Sequence, residues 1–148
     1  MSKPANTRPS PRREKSEKIR NALFEAAAKM VGRYGYADAS VARITTAAKI
    51  AQGSYYTYFP SRQALLDELL PTLGDEMLAH IATAVGDERD EVAREEKRFR
   101  GFFEFLQRRP AFFRILNEAE FFAPKGFRRH FDNISTNYRK ALSRARDR

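Results

Sequence analysis

The 148-residue sequence predicts an all-α fold, a three-helix head with a helix-turn-helix followed by a helical body. Apolar residues recur at three- and four-residue spacing along successive segments, which is the period of one helix face. No segment alternates apolar and polar residues over the length of a strand. Serine, glycine and proline fall in the gaps between segments, where caps and breakers belong.

Residues 1–15 contain Pro4, Pro9 and Pro11 together with Lys3, Arg8, Arg12, Arg13 and Lys15, and show no apolar period. Such a stretch cannot bury enough surface to offset its chain entropy, so a disordered basic arm is expected. The first helix is predicted from Ser16 to Tyr34, with Ile19, Leu23, Ala26, Ala27, Met30, Val31 and Tyr34 as its stripe. Gly35 suits a left-handed C-cap, and Tyr36 begins a short connector.

Ser40 is a natural N-cap for the second helix, whose apolar face is Val41, Ile44, Ala47 and Ala48. Lys49–Gln52 forms a corner plugged by Ile50. The third helix, Gln52–Phe59, is polar at its start and aromatic along its length, and Pro60 ends it. The head is therefore residues 16–60. Ser61 caps a long fourth helix reaching Val85, with Leu65, Leu66, Leu69, Leu70, Leu73, Met77, Leu78 and Ile81 in support. Pro71 lies inside it and predicts a kink or break near Leu70.

After a charged connector, Gly86–Asp90, a fifth helix spans Glu91–Arg108 with Val92, Phe99, Phe102, Phe103 and Leu106 inward. The sixth, Pro110–Phe122, is apolar on nearly every side and so is predicted to be buried. Pro124 and Gly126 break the chain. A seventh helix then runs to about Arg146 with the stripe Phe127, Phe131, Ile134, Tyr138, Ala141 and Leu142. Residues 61–148 form the helical body.

The 28 Lys and Arg exceed the 19 Asp and Glu by nine charges. Residues 1–60 hold 11 of the bases against 4 acids, so the excess sits mainly on the head. A basic head carrying a helix-turn-helix favours a polyanionic partner, double-stranded DNA. There is no cysteine, and hence no disulfide framework or thiolate chemistry. No apolar run is long enough to span a bilayer and no secretory signal is legible, so the expected location is cytoplasmic with no membrane partner. Glycine-rich phosphate loops and zinc-binding helices are missing, and His80 and His130 stand alone. The expectation is therefore a non-enzyme, with no catalytic residue, no metal and no cofactor.

The stretch Ser40–Leu66 resembles the DNA-binding motif of the TetR/AcrR family of bacterial transcriptional regulators. Ser40, Ile44, Ala48, Ile50, Gly53, Ser54, Tyr56, Tyr58, Phe59, Ser61, Ala64 and Leu65 fill the matching positions. Lys49 stands where the family prefers a turn glycine, and Thr45 where a small alanine is usual. The resemblance implies a sequence-specific regulator, a repressor released by a small apolar or acyl-type effector. An effector-independent DNA-binding module, or a shortened chain that pairs with a longer relative, are the other readings. It further implies that Gln52, Gly53, Ser54, Tyr56 and Thr57 face the major groove, and that Ser40, Lys49, Tyr58 and Arg62 touch phosphates. Tyr55 and Phe59 of this helix are expected to pack inward.

Ten of the twelve phenylalanines lie between Phe99 and Phe131. In the family the fourth to seventh helices enclose an effector cavity, so His80, Phe99, Phe102, Phe103, Phe113, Asn117, Phe121 and Phe131 are candidate pocket residues. Glu118, Glu120, His130 and Asn133 are further polar candidates. The family forms homodimers through two additional C-terminal helices. This sequence stops inside or just after its seventh helix, so a truncated body is expected, monomeric or weakly self-associating, with exposed apolar surface on the sixth and seventh helices.

Overall fold

The computed structural model describes residues 9–146. Among them are seven helices and no strand: α1 Pro11–Tyr34, α2 Val41–Ala48, α3 Gln52–Tyr58, α4 Arg62–Val85, α5 Glu91–Arg108, α6 Ala111–Phe122 and α7 Pro124–Arg146. The all-α expectation holds, and the boundaries of α5 coincide with those predicted.

Helix α1 starts five residues before Ser16. The Ser10 side chain accepts from the Arg13 N–H, and Pro11 occupies the first helical position, where its missing N–H costs nothing. Residues 11–15 are thus helical and not part of a disordered arm. The expectation for residues 1–8 lies outside the described residues. Gly35 ends α1 at φ 83° and ψ 168°, a positive-φ conformation open to glycine, though not the left-handed helical one predicted.

Leu23, Ala27 and Val31 of α1 are fully buried with Ile44 of α2, Tyr55 of α3 and Leu65, Leu66, Leu69 and Leu70 of α4. Burial of one such leucine is worth about 1.5–3 kcal/mol relative to exposure. Helix α4 passes from this head core into the body, where it packs against α5, α6 and α7. It continues through Pro71 without the predicted break. Pro71 is itself buried between Leu70 and Leu73, so packing on both sides holds the turn that has lost its hydrogen bond.

The sixth helix differs from its prediction. Phe112, Ile115 and Ala119 face inward, while Phe113, Phe121 and Phe122 are exposed. Only one face has neighbours, because α6 lies against α1, α4 and α7 and nothing described covers its other side. Gly126 is also not a breaker. It lies within α7, and a Cβ there would sit 2.3 Å from the Asp67 carbonyl oxygen of α4. The glycine permits close helix contact, and α7 starts earlier, at Pro124.

Head and body are joined by ion pairs and caps. Arg109 holds Glu25 of α1 at 2.6 and 2.9 Å and Glu76 of α4 at 2.8 Å. Arg114 of α6 donates to Glu118 at 2.8 Å and to the Arg33 carbonyl at 3.1 Å. Glu118 in turn accepts the Tyr36 N–H at 2.9 Å. Burial pushes the Glu118 carboxyl up, but the Arg114 and Tyr36 hydrogen bonds outweigh it and its pKa lies below the usual carboxylate range. The Tyr36 ring stacks on Phe122 at 6.0 Å.

Candidate nucleic-acid interface

Helix α2 is capped as predicted, with the Ser40 hydroxyl accepting from the Arg43 N–H at 3.2 Å. Thr45, buried where a smaller residue is usual, returns its hydroxyl proton to the Val41 carbonyl at 2.8 Å, so burial leaves no unsatisfied group. Lys49 occupies the corner in a left-handed conformation, φ 58° and ψ 41°. That conformation costs an L-residue roughly 1 kcal/mol. It lets the Lys49 N–H bond to Thr46 at 3.2 Å and the Ile50 N–H to Thr45 at 2.9 Å, which turns the chain into α3.

Two buried rings fix α3. The Tyr55 hydroxyl donates to the Ser61 carbonyl at 2.8 Å, and Tyr55 stacks on Phe59 at 5.7 Å. From below, the Arg20 guanidinium lies 4.3 Å from the Phe59 ring centre. It donates to the Tyr58 carbonyl at 2.9 Å and to both Glu68 oxygens at 2.7 and 2.8 Å. One arginine thus ties α1, the end of α3 and α4 together.

With Tyr55 and Phe59 turned inward, the opposite side of α3 faces solvent. Gln52, Gly53, Ser54, Tyr56 and Thr57 are all exposed. Tyr56, at 56 % exposure, meets Tyr55 only edge-on, 5.2 Å between ring centres, so it is not a core residue. A Cβ at Gly53 would meet nothing within 4 Å, leaving that surface open to an approaching partner. Lys49 is exposed at the corner and Tyr58 is half-buried.

Arg62 is placed differently from its expected phosphate contact. Its guanidinium turns back and donates to the carbonyls of Ala39 at 2.8 Å, Ala37 at 3.5 Å and Tyr36. These are the last carbonyls before α2, so Arg62 positions the helix-turn-helix. Arg43 is an exposed cation that sequence reasoning passed over. Its guanidinium lies 4.4 Å from the Tyr34 ring centre, at the N-terminal end of α2.

Burial, with the neighbouring Tyr56 and Glu68, pushes the Tyr55 hydroxyl up to about 12, against a smaller opposing effect of Arg62. The raised value stabilises the fold fully below pH 10, where folded and unfolded chains both keep the proton. That stability is lost as the pH rises through 10 toward 12, because only the unfolded chain ionises readily. Unfolding followed between pH 9 and 12 should show stability falling by at most about 1.4 kcal/mol per pH unit from this group. Tyr55→Phe should flatten that fall, and an equal fall in the variant would remove Tyr55 as its source.

In the body, α4, α5 and α7 border a cleft of about 750 Å³. Of the pocket residues expected, Phe99 and Phe102 line it. His80, Phe103, Phe113, Asn117, Phe121 and Phe131 do not. His80 lies 3.4 Å from Glu104 without hydrogen-bond alignment. Phe103, Phe113, Asn117, Phe121 and Phe131 are exposed elsewhere. His130 is buried among Phe112 and Phe131, and burial lowers its pKa despite the charge of Asp75. Glu118 serves the head–body joint, while Glu120 is exposed and Asn133 half-buried, both away from the cleft. The rest of the aromatic run does not line the cleft, because Phe112 of α6 is buried against Phe105 of α5 and His130 of α7 while Phe113 and Phe121 face solvent. Among the described residues, no group of three or more His, Cys, Asp or Glu could hold a metal ion. No described helix is long and apolar enough to cross a membrane.

The sequence profile for "Bacterial regulatory proteins, tetR family" matches residues 23–69, which cover the second half of α1, all of α2 and α3, and the first turns of α4. Over 59 residues, 40 % of this chain, the sequence is 37 % identical to an uncharacterized HTH-type transcriptional regulator, YuxN, of Bacillus subtilis strain 168. The matched stretch spans only 20 % of that relative. A TetR family transcription regulator from Marinobacter aquaeolei VT8 superposes with a TM-score of 0.77 at 20 % identity, covering 91 % of this chain and 72 % of that one. The fatty acid degradation regulator FadR of Bacillus halodurans gives 0.76 at 16 % identity, covering 95 % and 72 %. At these identities the structural likeness speaks for the fold, and the sequence matches speak for the head.

Proposed function

We propose that the chain, whose residues 23–69 match the tetR family of bacterial regulatory proteins, is a sequence-specific DNA-binding transcriptional regulator of that family, a repressor released by a small ligand. The observation that carries the reading is the solvent side of α3. Gln52, Gly53, Ser54, Tyr56 and Thr57 are presented together while Tyr55 and Phe59 anchor the helix. A recognition helix of this kind reads base edges in the major groove with its N-terminal residues. Lys49 and Ser40 flank it for phosphates, which hold the register without reading sequence. A DNA partner supports a cytoplasmic location.

Sequences enriched from random duplex by the purified protein test this. Gln52→Ala should relax discrimination at one base pair by roughly 1–3 kcal/mol. Lys49→Gln should instead weaken specific and random duplex alike, reducing the slope of log K against log salt by about 0.9. Parent-like binding by both variants would show that this face does not read DNA.

The cleft between α4, α5 and α7 supports the ligand-responsive reading over an effector-independent module, for which a collapsed body is expected. Exposed Phe113, Phe121 and Phe122 of α6 and Phe131, Tyr138 and Leu142 of α7 supply apolar surface for pairing of two chains. Two heads set about 34 Å apart would match a symmetric operator.

A further inference from the structure

We propose that the cleft between α4, α5 and α7 binds an anionic amphiphile, an apolar chain ending in a carboxylate or phosphate, with the acid group held by Lys140 and Arg144. This deepens the ligand-responsive reading and rests on it only for the consequence at DNA. The cleft has two chemically distinct parts. Its apolar part is formed by Met77, Leu78 and Ile81 of α4, Phe99 and Phe102 of α5, and Ile134 of α7. Its volume of about 750 Å³ suits a small-molecule site. Such walls favour an extended hydrocarbon and give a bare inorganic ion nothing to replace its water.

The polar part is strongly cationic. Arg94, Arg98, Lys140 and Arg144 line the cleft against a single carboxylate, Glu95, and Glu95 is already paired with Arg98. Arg94 is already engaged, donating one Nη to the Glu88 carbonyl at 2.8 Å and pairing its Nε with the Glu91 carboxylate at 3.7 Å. Lys97, the other base nearby on α5, is engaged by Glu88 at 2.8 Å. Lys140 and Arg144 have neither a hydrogen bond nor an ion pair among the described residues. They are four apart on α7, so they share a face and repel one another. An acid group between them would relieve the repulsion and accept charge-assisted hydrogen bonds. The apolar chain would then lie along Ile134 toward Ile81 and Phe102. A cationic or neutral amphiphile would gain the apolar contacts and lose the charged ones.

Saturable binding measured by calorimetry below micelle-forming concentrations tests the proposal, using decanoate, decyl phosphate, decanol and decyltrimethylammonium. The two acids should bind about tenfold more tightly than the alcohol or the ammonium compound. The double variant Lys140→Gln/Arg144→Gln changes only exposed side chains and should keep the parent's thermal unfolding and its decanol affinity. It should lose the tenfold preference for acids. Phe99→Glu, at a position 65 % exposed, should weaken all four ligands and keep the fold. Equal affinity for acid, alcohol and ammonium would overturn the proposal, as would parent-like acid binding by the double variant. A cleft that binds no probe and is instead covered by a second copy, seen as a dimer in sedimentation that Phe99→Glu dissociates, would also overturn it. DNA affinity measured on the same preparations separates the two readings. Acid binding with no DNA binding refutes the regulator, and DNA binding with no acid binding refutes this ligand.

Discussion

Arg62→Ala is expected to lower the stability of the chain by about 3 kcal/mol and to weaken DNA binding while leaving its salt dependence near that of the parent. The guanidinium donates to the carbonyls of Tyr36, Ala37 and Ala39, and hydrogen bonds from a charged donor are worth about 1.5–3 kcal/mol each. Alanine would leave these partly buried carbonyls without the donor, next to the Ser40 cap that starts α2. The head would lose its fixed entry into the helix-turn-helix, and α3 would be presented less uniformly to a groove. A phosphate contact predicts another outcome, a slope of log K against log salt reduced by about 0.9 with little change in stability. Urea unfolding together with binding isotherms at several salt concentrations distinguishes them. Unchanged stability with a reduced slope would return Arg62 to the DNA surface.

The contacts of Arg62 show which features the sequence makes legible. Helical spacing identifies neighbours on one helix, and it located α2 and α3 because Ser40, Ile44, Ile50, Tyr55 and Phe59 act locally. The partners of Arg62 lie 23 to 26 residues earlier in the chain, and no periodicity records them. The start of α1 was legible, since Ser10 followed by Pro11 is a cap followed by a first-turn proline, but the basic composition of residues 1–15 outweighed it. In α6, composition alone suggested burial. Which rings are covered depends on how many helices surround it, and Phe113 and Phe121 are on the uncovered side. The cleft left a signal in the spacing of Arg94 with Arg98 and of Lys140 with Arg144, each pair four apart. Only the fold brings the two pairs together.

Gly126→Val is expected to destabilise the body by about 3 kcal/mol, at the upper end of the usual cost of overpacking. What distinguishes this glycine is the nature of its neighbour. A Cβ at Gly126 would lie 2.3 Å from the Asp67 carbonyl oxygen and 3.1 Å from its carbonyl carbon, which are backbone atoms within α4 and cannot rotate away. Gly74 offers the comparison. A Cβ there would lie 2.2 Å from Nδ1 of His130, a side chain that substitution can remove. Gly74→Ala should therefore destabilise strongly alone and much less when combined with His130→Ala, giving a coupling of at least about 1 kcal/mol in a double-mutant cycle. Gly126→Val has no such partner, and relief requires α7 to move away from α4. Because the later part of α7 forms one wall of the cleft, the same shift should abolish ligand binding there. Denaturation midpoints of the parent, Gly126→Val, the two single variants of the cycle and their double variant check the stabilities, and decanoate calorimetry on Gly126→Val checks the loss of binding. Parent-like stability of Gly126→Val would show that α7 does not lie against α4 at Asp67.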